Sequence, residues 1–382
     1  MKSMLIMCYT DPSNAPRPSR IIHYLKDLYN VTVVGLKDPH INGVEFIPLM
    51  ITDQYERIAG KFKTFVNLKL HRFEEILWSE NLRQLQNKLN NKFDLINVHD
   101  IRLLPVALSL KKDRNVRVWF DAHEYYPKNF DDQLVWRLFE QSLNEYICRK
   151  YLKMCDKMTT VCDGLAAEYA KVYGINAEVI MSLPIFSDLL PSQTEENKIK
   201  IIHHGWASPS RKIETMVKIM DYTDERFSLD LMLLPGDNIH HKWYWKKLLR
   251  EVCKRKNVKL IPPVAMQNIV SFTNQYDIGL FLCKPQNFNL KFALPNKIFE
   301  FIQARLAIAI APSIEMRKIV EKYDCGVISD DFEPKSLAKS LNKLTTEKIM
   351  YYKHQSHSAS YELSAETNHQ KIDAILHQLI GN

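Results

Sequence analysis

The stretch Tyr276-Asp277-Ile278-Gly279-Leu280-Phe281-Leu282 is followed by a polar loop, Lys284 to Lys291, and then by Ala293-Leu294-Pro295-Asn296-Lys297-Ile298-Phe299-Glu300. The first run is apolar and typical of a buried strand. Pro295 favours a helix start, because the N–H that proline lacks is not needed in the first helical turn. A further apolar run, Leu306 to Ala311, completes the segment. This order of strand, loop, helix and strand predicts a βαβ unit with parallel strands.

The same alternation of short β-rich runs and longer helical patterns extends along the whole chain. In the first half, the strand candidates are Ser3–Tyr9, Val31–Leu36, Val44–Leu49, Phe93–His99, Val116–Ala122, Met158–Cys162 and Glu178–Met181. In the second half, they are Ile199–His204, Leu229–Leu234, Val258–Ile261, Ile278–Cys283, Leu306–Ala311 and Gly326–Ser329. Strands alternating with helices predict an α/β fold with two Rossmann-like, doubly wound parallel sheets.

The domain organisation is predicted from the chain length and from one interruption in the alternation of strands and helices. The chain has 382 residues, more than a single core usually organises. The proline-containing segment after Leu183 interrupts the alternation. We predict a first Rossmann-like domain over 1–185, a linker over 186–197, a second Rossmann-like domain over 198–350, and C-terminal helices over 351–382 that return to the first domain. Ligands of such sheets bind beyond the carboxyl ends of the strands, so we expect a cleft between the two domains.

Bulk composition restricts the partners and the compartment. The formal charge of +8 favours anionic ligands. The basic residues are scattered and show no zinc-finger or RNA-binding motif, which argues against nucleic acid. Seven dispersed cysteines without a Cys-x-x-Cys pair indicate reduced thiols. The first residues lack the features of a secretion signal, and no apolar run reaches the ~20 residues that span a bilayer. We therefore expect a cytoplasmic protein, either free or at the inner face of the cell membrane.

The helix predicted after Pro295 suits an anionic nucleotide. The free amides at a helix start favour a diphosphate. Glu300 lies about one turn beyond Asn296, so both side chains share a face, and a carboxylate placed there can accept two hydrogen bonds from a ribose diol. The same periodicity would also arise from an ordinary first turn and a solvated glutamate.

The run from Leu294 to Ala304, followed by a hydrophobic strand, resembles the donor-binding motif of family 4 retaining glycosyltransferases, in the form found in bacterial capsule and O-antigen enzymes. The resemblance implies the glycosyltransferase B fold and a UDP- or GDP-type sugar donor. It also implies that Glu300 binds the donor ribose, while the backbone around Leu294, Pro295 and Asn296, with Lys297, lines the sugar and the diphosphate.

Two positions depart from that motif. The family commonly carries another glutamate eight residues before the ribose glutamate, where this chain has Phe292. Its contact with the donor sugar would then fall to Asn289 or Lys291. The glycine that usually follows the helix is Arg305 here, which puts the geometry of the helix end in question.

The resemblance implies that 1–185 is the acceptor-side domain and 198–350 the nucleotide-sugar donor domain. A second candidate site closes the first strand of this donor domain, at His203-His204-Gly205-Trp206-Ala207-Ser208-Pro209-Ser210-Arg211-Lys212. Gly205 permits a tight turn. Arg211 and Lys212 would offer cationic donors to a diphosphate, as a glycine turn and a basic pair do in the resembling family. Cations at a helix start are unfavourable unless they bind an anion, although an exposed Arg-Lys pair without a ligand is the alternative.

A third candidate lies in the first half, at Phe120-Asp121-Ala122-His123-Glu124-Tyr125-Tyr126-Pro127. The resembling family places a histidine at the end of this strand, which implies that His123 contacts the donor sugar or the leaving-group side of the reaction. Glu124 and the pair His99-Asp100, which ends the preceding strand, are candidates for the acceptor side. A lone histidine in a core is the alternative interpretation.

The loop after the first strand, Thr10 to Arg20, lacks the glycine-rich turn of its family counterpart. Arg17 and Arg20 remain candidate contacts for an acceptor or a phosphate. No Asp-x-Asp triplet lies in a suitable loop, so we expect neither a metal ion nor another cofactor. Charge on the leaving group would be stabilised by helix amides and by Arg211.

One apolar stripe suggests a different contact. Phe62, Val66, Leu70, Phe73 and Leu77 share a helical face with lysines nearby, a pattern that suits either an anionic membrane or a helix covering the first sheet. We predict the covering helix and keep peripheral membrane contact as the alternative.

Together these features predict a metal-independent transferase that moves a sugar from a nucleoside-diphosphate donor to a glycan or lipid-linked glycan in bacterial surface polysaccharide synthesis. By resemblance alone it would retain the anomeric configuration. A sugar-nucleotide 2-epimerase of the same architecture and an inactive glycosyltransferase-like assembly partner are the alternatives.

Overall fold

The computed structural model describes residues 1–50, 58–89, 93–111, 115–236 and 239–381. The chain forms two compact units. The first comprises Met1–Ser182, Asn287–Asn289 and Asn368–Asn382, and the second comprises Leu183–Gln286 and Leu290–Thr367. The predicted linker over 186–197 therefore belongs to the second unit, because the boundary falls at Leu183.

All thirteen predicted strands form, with ends that differ from the predicted ones by at most two residues. In the first unit they are β1 (Ser3–Met7), β2 (Asn30–Gly35), β3 (Val44–Pro48), β4 (Leu95–Val98), β5 (Arg117–Ala122), β6 (Lys157–Thr160) and β7 (Glu178–Val179). In the second they are β8 (Ile199–Trp206), β9 (Phe227–Leu234), β10 (Val258–Ile261), β11 (Ile278–Phe281), β12 (Ala307–Ile310) and β13 (Gly326–Ile328).

Both sheets are parallel and doubly wound, which confirms the predicted fold class. The order is β3-β2-β1-β4-β5-β6-β7 in the first sheet and β10-β9-β8-β11-β12-β13 in the second. Strand order reverses between β1 and β4, and again between β8 and β11. The carboxyl ends of strands at such a reversal are where open α/β sheets bind ligands.

The helices of the described residues complete the crossovers. They are α1 (Pro16–Leu25), α2 (Ile58–Lys69), α3 (Phe73–Leu77), α4 (Glu80–Lys88), α5 (Leu104–Lys111), α6 (Leu134–Trp136), α7 (Ser142–Tyr151), α8 (Asp163–Tyr173), α9 (Glu214–Ile219), α10 (Ile239–Val252), α11 (Ile269–Thr273), α12 (Phe288–Lys291), α13 (Asn296–Gln303), α14 (Ile314–Tyr323), α15 (Pro334–Asn342), α16 (Thr346–Ala359) and α17 (Ala365–Ile380). No helix in this part of the chain is long and apolar enough to cross a bilayer.

The apolar stripe predicted over residues 62–77 is not one helix. His71 adopts φ 53° between α2 and α3, so the chain turns there and the stripe is divided. Phe73 and Leu77 are buried, as expected of a helix that covers a core, whereas Leu70 is exposed. The side chains of Lys61 and Phe62 lie outside the described residues.

The last helix belongs mainly to the first unit. Its apolar residues Ile372, Ile375, Leu376 and Leu379 share a core cluster with β1 and α1. The Tyr24 hydroxyl donates to the Asp373 carboxylate at 2.6 Å. In contrast to the boundary predicted at 351, α16 stays in the second unit. Its Lys353 is buried, and the ammonium donates to Asp277 and to the Tyr276 carbonyl.

Arg305 occupies the position where the resembling motif has glycine. It adopts φ 61° directly after α13, a left-handed conformation that costs a non-glycine residue roughly 1 kcal/mol. Its guanidinium donates to the carbonyls of Ser187, Leu189 and Gln303 at 2.6–3.0 Å. These hydrogen bonds offset the strain and satisfy backbone groups of the segment that enters the second unit.

Candidate functional site

Each unit has a cluster of charged and imidazole side chains at the carboxyl edge of its sheet. The Asp121 cluster of the first unit comprises Arg17, His99, Asp121 and His123. The Lys297 cluster of the second comprises His204, Gly205, Arg211, Lys297 and Glu300. Whether the two clusters meet in one cleft stays a prediction.

A buried ion pair is the centre of the Asp121 cluster. Asp121, the penultimate residue of β5, is fully buried. Arg17, in the first turn of α1, donates from Nε and Nη2 to its two carboxylate oxygens at 2.6 and 2.7 Å. Thr159 donates to the same carboxylate at 2.6 Å. Burial alone would raise the pKa of Asp121, but the Arg17 guanidinium outweighs burial and holds that pKa well below its usual range.

This arrangement changes the role expected for Arg17. The remaining donor of its guanidinium, Nη1, donates to the Ile180 carbonyl at 2.6 Å, and the side chain is buried. We predicted a contact with an acceptor or a phosphate. The structure instead uses this arginine to neutralise a buried carboxylate.

Two histidines lie close to Oδ2 of Asp121, the oxygen that also accepts from Nε of Arg17. Nδ1 of His99 is 3.0 Å from Nε2 of His123, and the two nitrogens are 3.2 and 3.4 Å from Oδ2 of Asp121. Burial lowers the pKa of His99 to about 4, so that ring is neutral near pH 7. Its Nε2 is buried and has no hydrogen-bond partner among the described residues, which favours the tautomer with the proton on Nδ1. His123 keeps 28% of its side chain exposed and is the member that a ligand can reach.

The same three side chains have the composition of a metal site. Their ligand atoms lie within 4.8 Å of one another. However, Arg17 already donates to Oδ2 of Asp121, so the oxygen that would bind a cation faces a guanidinium. The positive charge that a metal ion would bring is supplied by Arg17, and the cluster is better described as a hydrogen-bonded network.

The other candidates of the first unit have local partners. Arg20 donates to the Ser182 hydroxyl at 2.7 Å. The carboxylate of Asp100 accepts from the Arg102 amide and so caps the short 3-10 helix that follows β4. The carbonyl of Glu124 accepts from the Tyr169 hydroxyl. Asp100 and Glu124 thus help to shape the strand ends around His99 and His123.

In the Lys297 cluster, two cations lie over Gly205 near the end of β8. Gly205 adopts φ 122°, a conformation that L side chains rarely adopt. A Cβ at this residue would lie 2.6 Å from Nζ of Lys297 and 3.8 Å from Nη1 of Arg211. The missing side chain therefore provides the space in which the ammonium sits, and both cations converge on one point at the edge of the sheet.

The surroundings of Lys297 disfavour its charge. Lys297 is buried in the first turn of α13. Burial, and then repulsion from Arg211, lower its pKa to about 7, while Glu300 acts in the opposite direction. The ring of His204 lies beside Glu300. Its Nε2 is 3.5 Å from the Glu300 carboxylate and has no hydrogen-bond partner among the described residues. Burial lowers the pKa of His204 well below its usual range, so the ring is neutral.

The helix start predicted at Pro295 is one residue off. Pro295 is the extended residue before α13, which begins at Asn296 and places the amides of its first turn beside Lys297. Glu300 is buried on this helix. Gly279 of β11 allows the helix to approach, because a Cβ there would be 2.3 Å from the Phe301 ring. Leu294 and Asn296 are partly buried at the entrance to the helix.

Lys212 differs from Arg211 in position. It adopts φ 45° at the end of the 3-10 turn Pro209–Arg211, and its side chain is exposed. The cationic partner of Arg211 at Gly205 is therefore Lys297, 86 residues along the chain, rather than its sequence neighbour.

The residues suggested as substitutes for the missing glutamate are placed differently. Asn289 is buried and belongs to the first unit, where its side-chain oxygen accepts from the Tyr125 amide at 2.8 Å and its amide donates to Asn129. This asparagine therefore ties residues 287–289 to the first unit. Lys291 is exposed, with its ammonium 5.3 Å from the centre of the Phe292 ring.

Sequence reasoning missed the importance of Asp121. We noted it only as a neighbour of His123, although an aspartate inside the apolar run Val118 to Ala122 signals a buried charge that needs a partner. That signal identifies the acid, but not Arg17 as the cation that reaches it.

The comparisons with known proteins point to glycosyltransferases. Residues 19–189, most of the first unit, match the family model Glycosyltransferase Family 4. No curated protein sequence matches the chain.

Solved structures of similar fold include HepE from Anabaena in complex with UDP-glucose, at 14% identity and a TM-score of 0.73, with 99% of this chain and 100% of that chain covered. A trehalose 6-phosphate synthase from Burkholderia multivorans has 12% identity and a TM-score of 0.71, with 99% of both chains covered. The sucrose-phosphate synthase from Thermosynechococcus elongatus has 11% identity and a TM-score of 0.69, again with 99% of both chains covered. At such identities these likenesses support the fold alone.

Proposed function

We propose that the protein is a glycosyltransferase that moves a sugar from a nucleoside-diphosphate donor, of the UDP or GDP type, to a hydroxyl of an acceptor. The observation that carries the proposal is the pair of cations, Lys297 and Arg211, that converge over Gly205 at the carboxyl edge of the second sheet. Two cations that converge on one point attract anionic groups, so the pair favours a ligand with at least two negative charges.

A nucleoside diphosphate fits the remaining geometry of this cluster. The first-turn amides of α13 add hydrogen-bond donors beside Lys297 and favour phosphate oxygens. Glu300 lies one turn further along the same helix and is assigned to the ribose hydroxyls. Lys297, Arg211 and these amides would also stabilise the charge that develops on the leaving diphosphate, since fixed donors in a buried site need no reorganisation during reaction.

The Asp121 cluster is the counterpart on the first unit. His123 is its exposed member and is assigned to the reacting sugar or the leaving-group side. Arg20, His99, Asp100 and Glu124 shape the acceptor side. The match of residues 19–189 to Glycosyltransferase Family 4 supports a transferase over other nucleotide-binding enzymes of this fold. Retention of configuration and a role in surface polysaccharide synthesis on a glycan or lipid-linked glycan are parts of this proposal that rest on sequence resemblance. Independence of metal ions is also part of the proposal and rests on the lack of an Asp-x-Asp triplet in a suitable loop.

Two measurements test the proposal together. Thermal unfolding is followed with UDP-, GDP- and ADP-sugars, because a donor that binds the folded state raises Tm. The stabilising donor is then incubated with candidate acceptors, and transfer is measured by mass spectrometry. We expect stabilisation by one class of nucleotide sugar and extension of an acceptor.

The variant Glu300→Gln preserves the shape of the side chain and removes its charge. It should lower transfer and weaken donor binding, seen as a smaller donor-induced rise in Tm relative to the unliganded variant. Lys339→Gln, an exposed residue of α15, serves as the matched control and should leave both unchanged. Absence of stabilisation by any nucleotide would overturn the proposal. Epimerised donor without acceptor would identify an epimerase, and binding without any transfer would identify an inactive relative.

A further inference from the structure

The outer face of α10 combines exposed apolar and basic side chains. Tyr244, Leu248 and Val252 are the buried residues of this helix. On the opposite side, Ile239 and Trp243 are 78% and 69% exposed. These two residues are one helical turn apart. They form an apolar pair on the side of the helix that faces away from the core.

A column of cations runs beside this apolar pair. Lys242, Lys246 and Arg250 are exposed and follow one another at intervals of four residues, over about 12 Å of helix. Like charges at this spacing repel each other and destabilise a helix. The acidic groups of α9, of the turn after it and of α10 do not relieve them, because Glu214, Asp221 and Glu251 pair with other cations.

A second column of the same spacing lies in the same helical layer. Lys335, Lys339 and Lys343, on α15 and the residue that follows it, are also exposed at intervals of four residues. Helix α9 contacts both α10 and α15, and buried residues of all three helices share one core cluster on the second sheet. The outer surface of this layer therefore presents six cations, together with the apolar pair on α10.

We infer that the outer surface of the α9, α10 and α15 layer binds the surface of an anionic lipid bilayer. An indole and an aliphatic side chain that protrude together suit the boundary between headgroups and acyl chains, while lysines beside them attract anionic headgroups. Two separated columns form a broad cationic surface, which matches an extended membrane better than a single nucleic acid strand in a groove.

Exposed apolar side chains also lie at the carboxyl edge of the second sheet. Trp206 and Leu234, the last residues of the neighbouring strands β8 and β9, are exposed as well. Trp206 directly follows Gly205, so apolar side chains at this edge of the sheet continue towards the donor side of the unit. The inference does not depend on the donor, because none of the residues of α10 or α15 belongs to the Lys297 cluster.

Flotation with lipid vesicles tests the inference. The full-length protein is mixed with vesicles of phosphatidylcholine alone or of phosphatidylcholine with phosphatidylglycerol. We expect binding to the anionic vesicles only. The triple variant Lys242→Gln, Lys246→Gln, Arg250→Gln should lower the partition coefficient about 100-fold, at roughly fivefold per cation near the surface. The double variant Ile239→Ser, Trp243→Ser should lower it about tenfold without changing charge.

A matched control carries the same loss of charge elsewhere on the second unit. Arg317→Gln, Lys318→Gln and Lys322→Gln remove three exposed cations of α14 that are already paired with glutamates. This control should float as the unmodified protein does. All variants should keep their stabilisation by the nucleotide sugar, so that loss of vesicle binding is separated from loss of the donor site.

Three outcomes would overturn the inference. The first is equal binding to neutral and anionic vesicles or to neither, and the second is a control that loses as much binding as the α10 triple variant. The third is binding of an RNA or DNA duplex, measured by fluorescence anisotropy, that depends on the same three cations while vesicles do not bind.

Discussion

The Asp121 cluster and the Lys297 cluster differ in the charge that lies next to a buried ionisable side chain. Both place a charged side chain in a dry environment at the carboxyl edge of a parallel sheet. Asp121 receives two hydrogen bonds from Arg17, so its charge is neutralised within the protein. Lys297 instead lies beside a second cation, and Glu300 only partly offsets the repulsion. The first cluster pairs opposite charges directly, whereas the second brings two cations to one point, where an anionic ligand would lower their repulsion.

This difference separates residues that hold a site together from residues that bind a ligand. A compensated buried pair contributes positioning, since removal of one partner leaves the other charge unpaired. Two cations that lie close together are instead stabilised further by a ligand of opposite charge. Four predictions test whether the contrast holds.

The largest expected effect is on stability at the Asp121 cluster. Asp121→Asn leaves the Arg17 guanidinium buried without its counter-charge and should lower the free energy of unfolding by about 3–5 kcal/mol. Arg17→Met should have a similar cost, and the double variant should cost less than the sum of the two. Urea unfolding followed by circular dichroism gives these values. Additive effects would show that the two side chains do not act as a pair.

The opposite result is expected for the Lys297 cluster. Lys297→Met removes a charge that the free protein disfavours, so the free energy of unfolding should stay the same or increase. Affinity for UDP-glucose should fall by about 2 kcal/mol, or roughly 30-fold, because a charged hydrogen bond to phosphate is lost. Calorimetric titration measures the affinity, with the exposed Lys212→Met as control. A destabilised protein with unchanged affinity would assign Lys297 to structure.

The third effect is the pH dependence of donor binding. The charged form of Lys297 binds phosphate, and its pKa in the free protein is about 7, below the usual 10.5. Affinity for UDP-glucose, whose phosphates stay ionised, should be constant below pH 7 and fall by up to about tenfold per pH unit above it. Stability of the free protein should change in the opposite sense and rise between pH 7 and 10.5, because the unfolded chain binds more protons there.

Calorimetric titrations from pH 6 to 9 and unfolding curves over the same range measure both trends. In Lys297→Met, the affinity should no longer depend on pH in this window. An affinity that is flat in the unmodified protein, or a slope that persists in the variant, would contradict the assignment of the titrating group to Lys297.

The smallest effect is expected from Gly205→Ala. The new methyl group would overlap the position of the Lys297 ammonium, which lies at the flexible end of its side chain and can move away. Displacement of the ammonium and strain at φ 122° should weaken UDP-glucose binding by about 1 kcal/mol. Titration of this variant beside Gly43→Ala, which also has positive φ but no neighbour within 4 Å, separates loss of space from backbone strain.

Much of the fold was predictable because its signals are local. Apolar runs such as Ile278 to Phe281 are β-rich and short, and their alternation with helices restricts the topology to parallel sheets. The division between α2 and α3 escaped prediction, because a left-handed residue such as His71 carries no signal in an apolar periodicity. The assignment of α16 to the second unit carries no local signal either, since its Lys353 pairs with Asp277, 76 residues away in the chain.

The candidate site was predictable in part. The segment from Leu294 to Glu300 marks a helix start and a carboxylate within one turn, so Lys297 and Glu300 emerged from sequence. The residue that lies beside each buried charge could not be predicted from sequence. Arg17 reaches Asp121 across 104 residues, and Lys297 rather than Lys212 reaches Arg211, because folding brings together strand ends that are distant in the chain.

The interleaved composition of the first unit bears on the order in which the protein is made. Its core needs Met4 and Ile6 of β1 together with Ile372 and Leu376 of α17, and the entire second unit lies between them in sequence. A growing chain emerges from its N-terminus, so the segment that starts the first core waits for the segment that closes it. The second unit is nearly continuous in sequence and ends at Thr367. All of its residues are therefore synthesised before the last residues of the first unit. During synthesis the earlier half of the molecule is therefore the one that must be kept from aggregation.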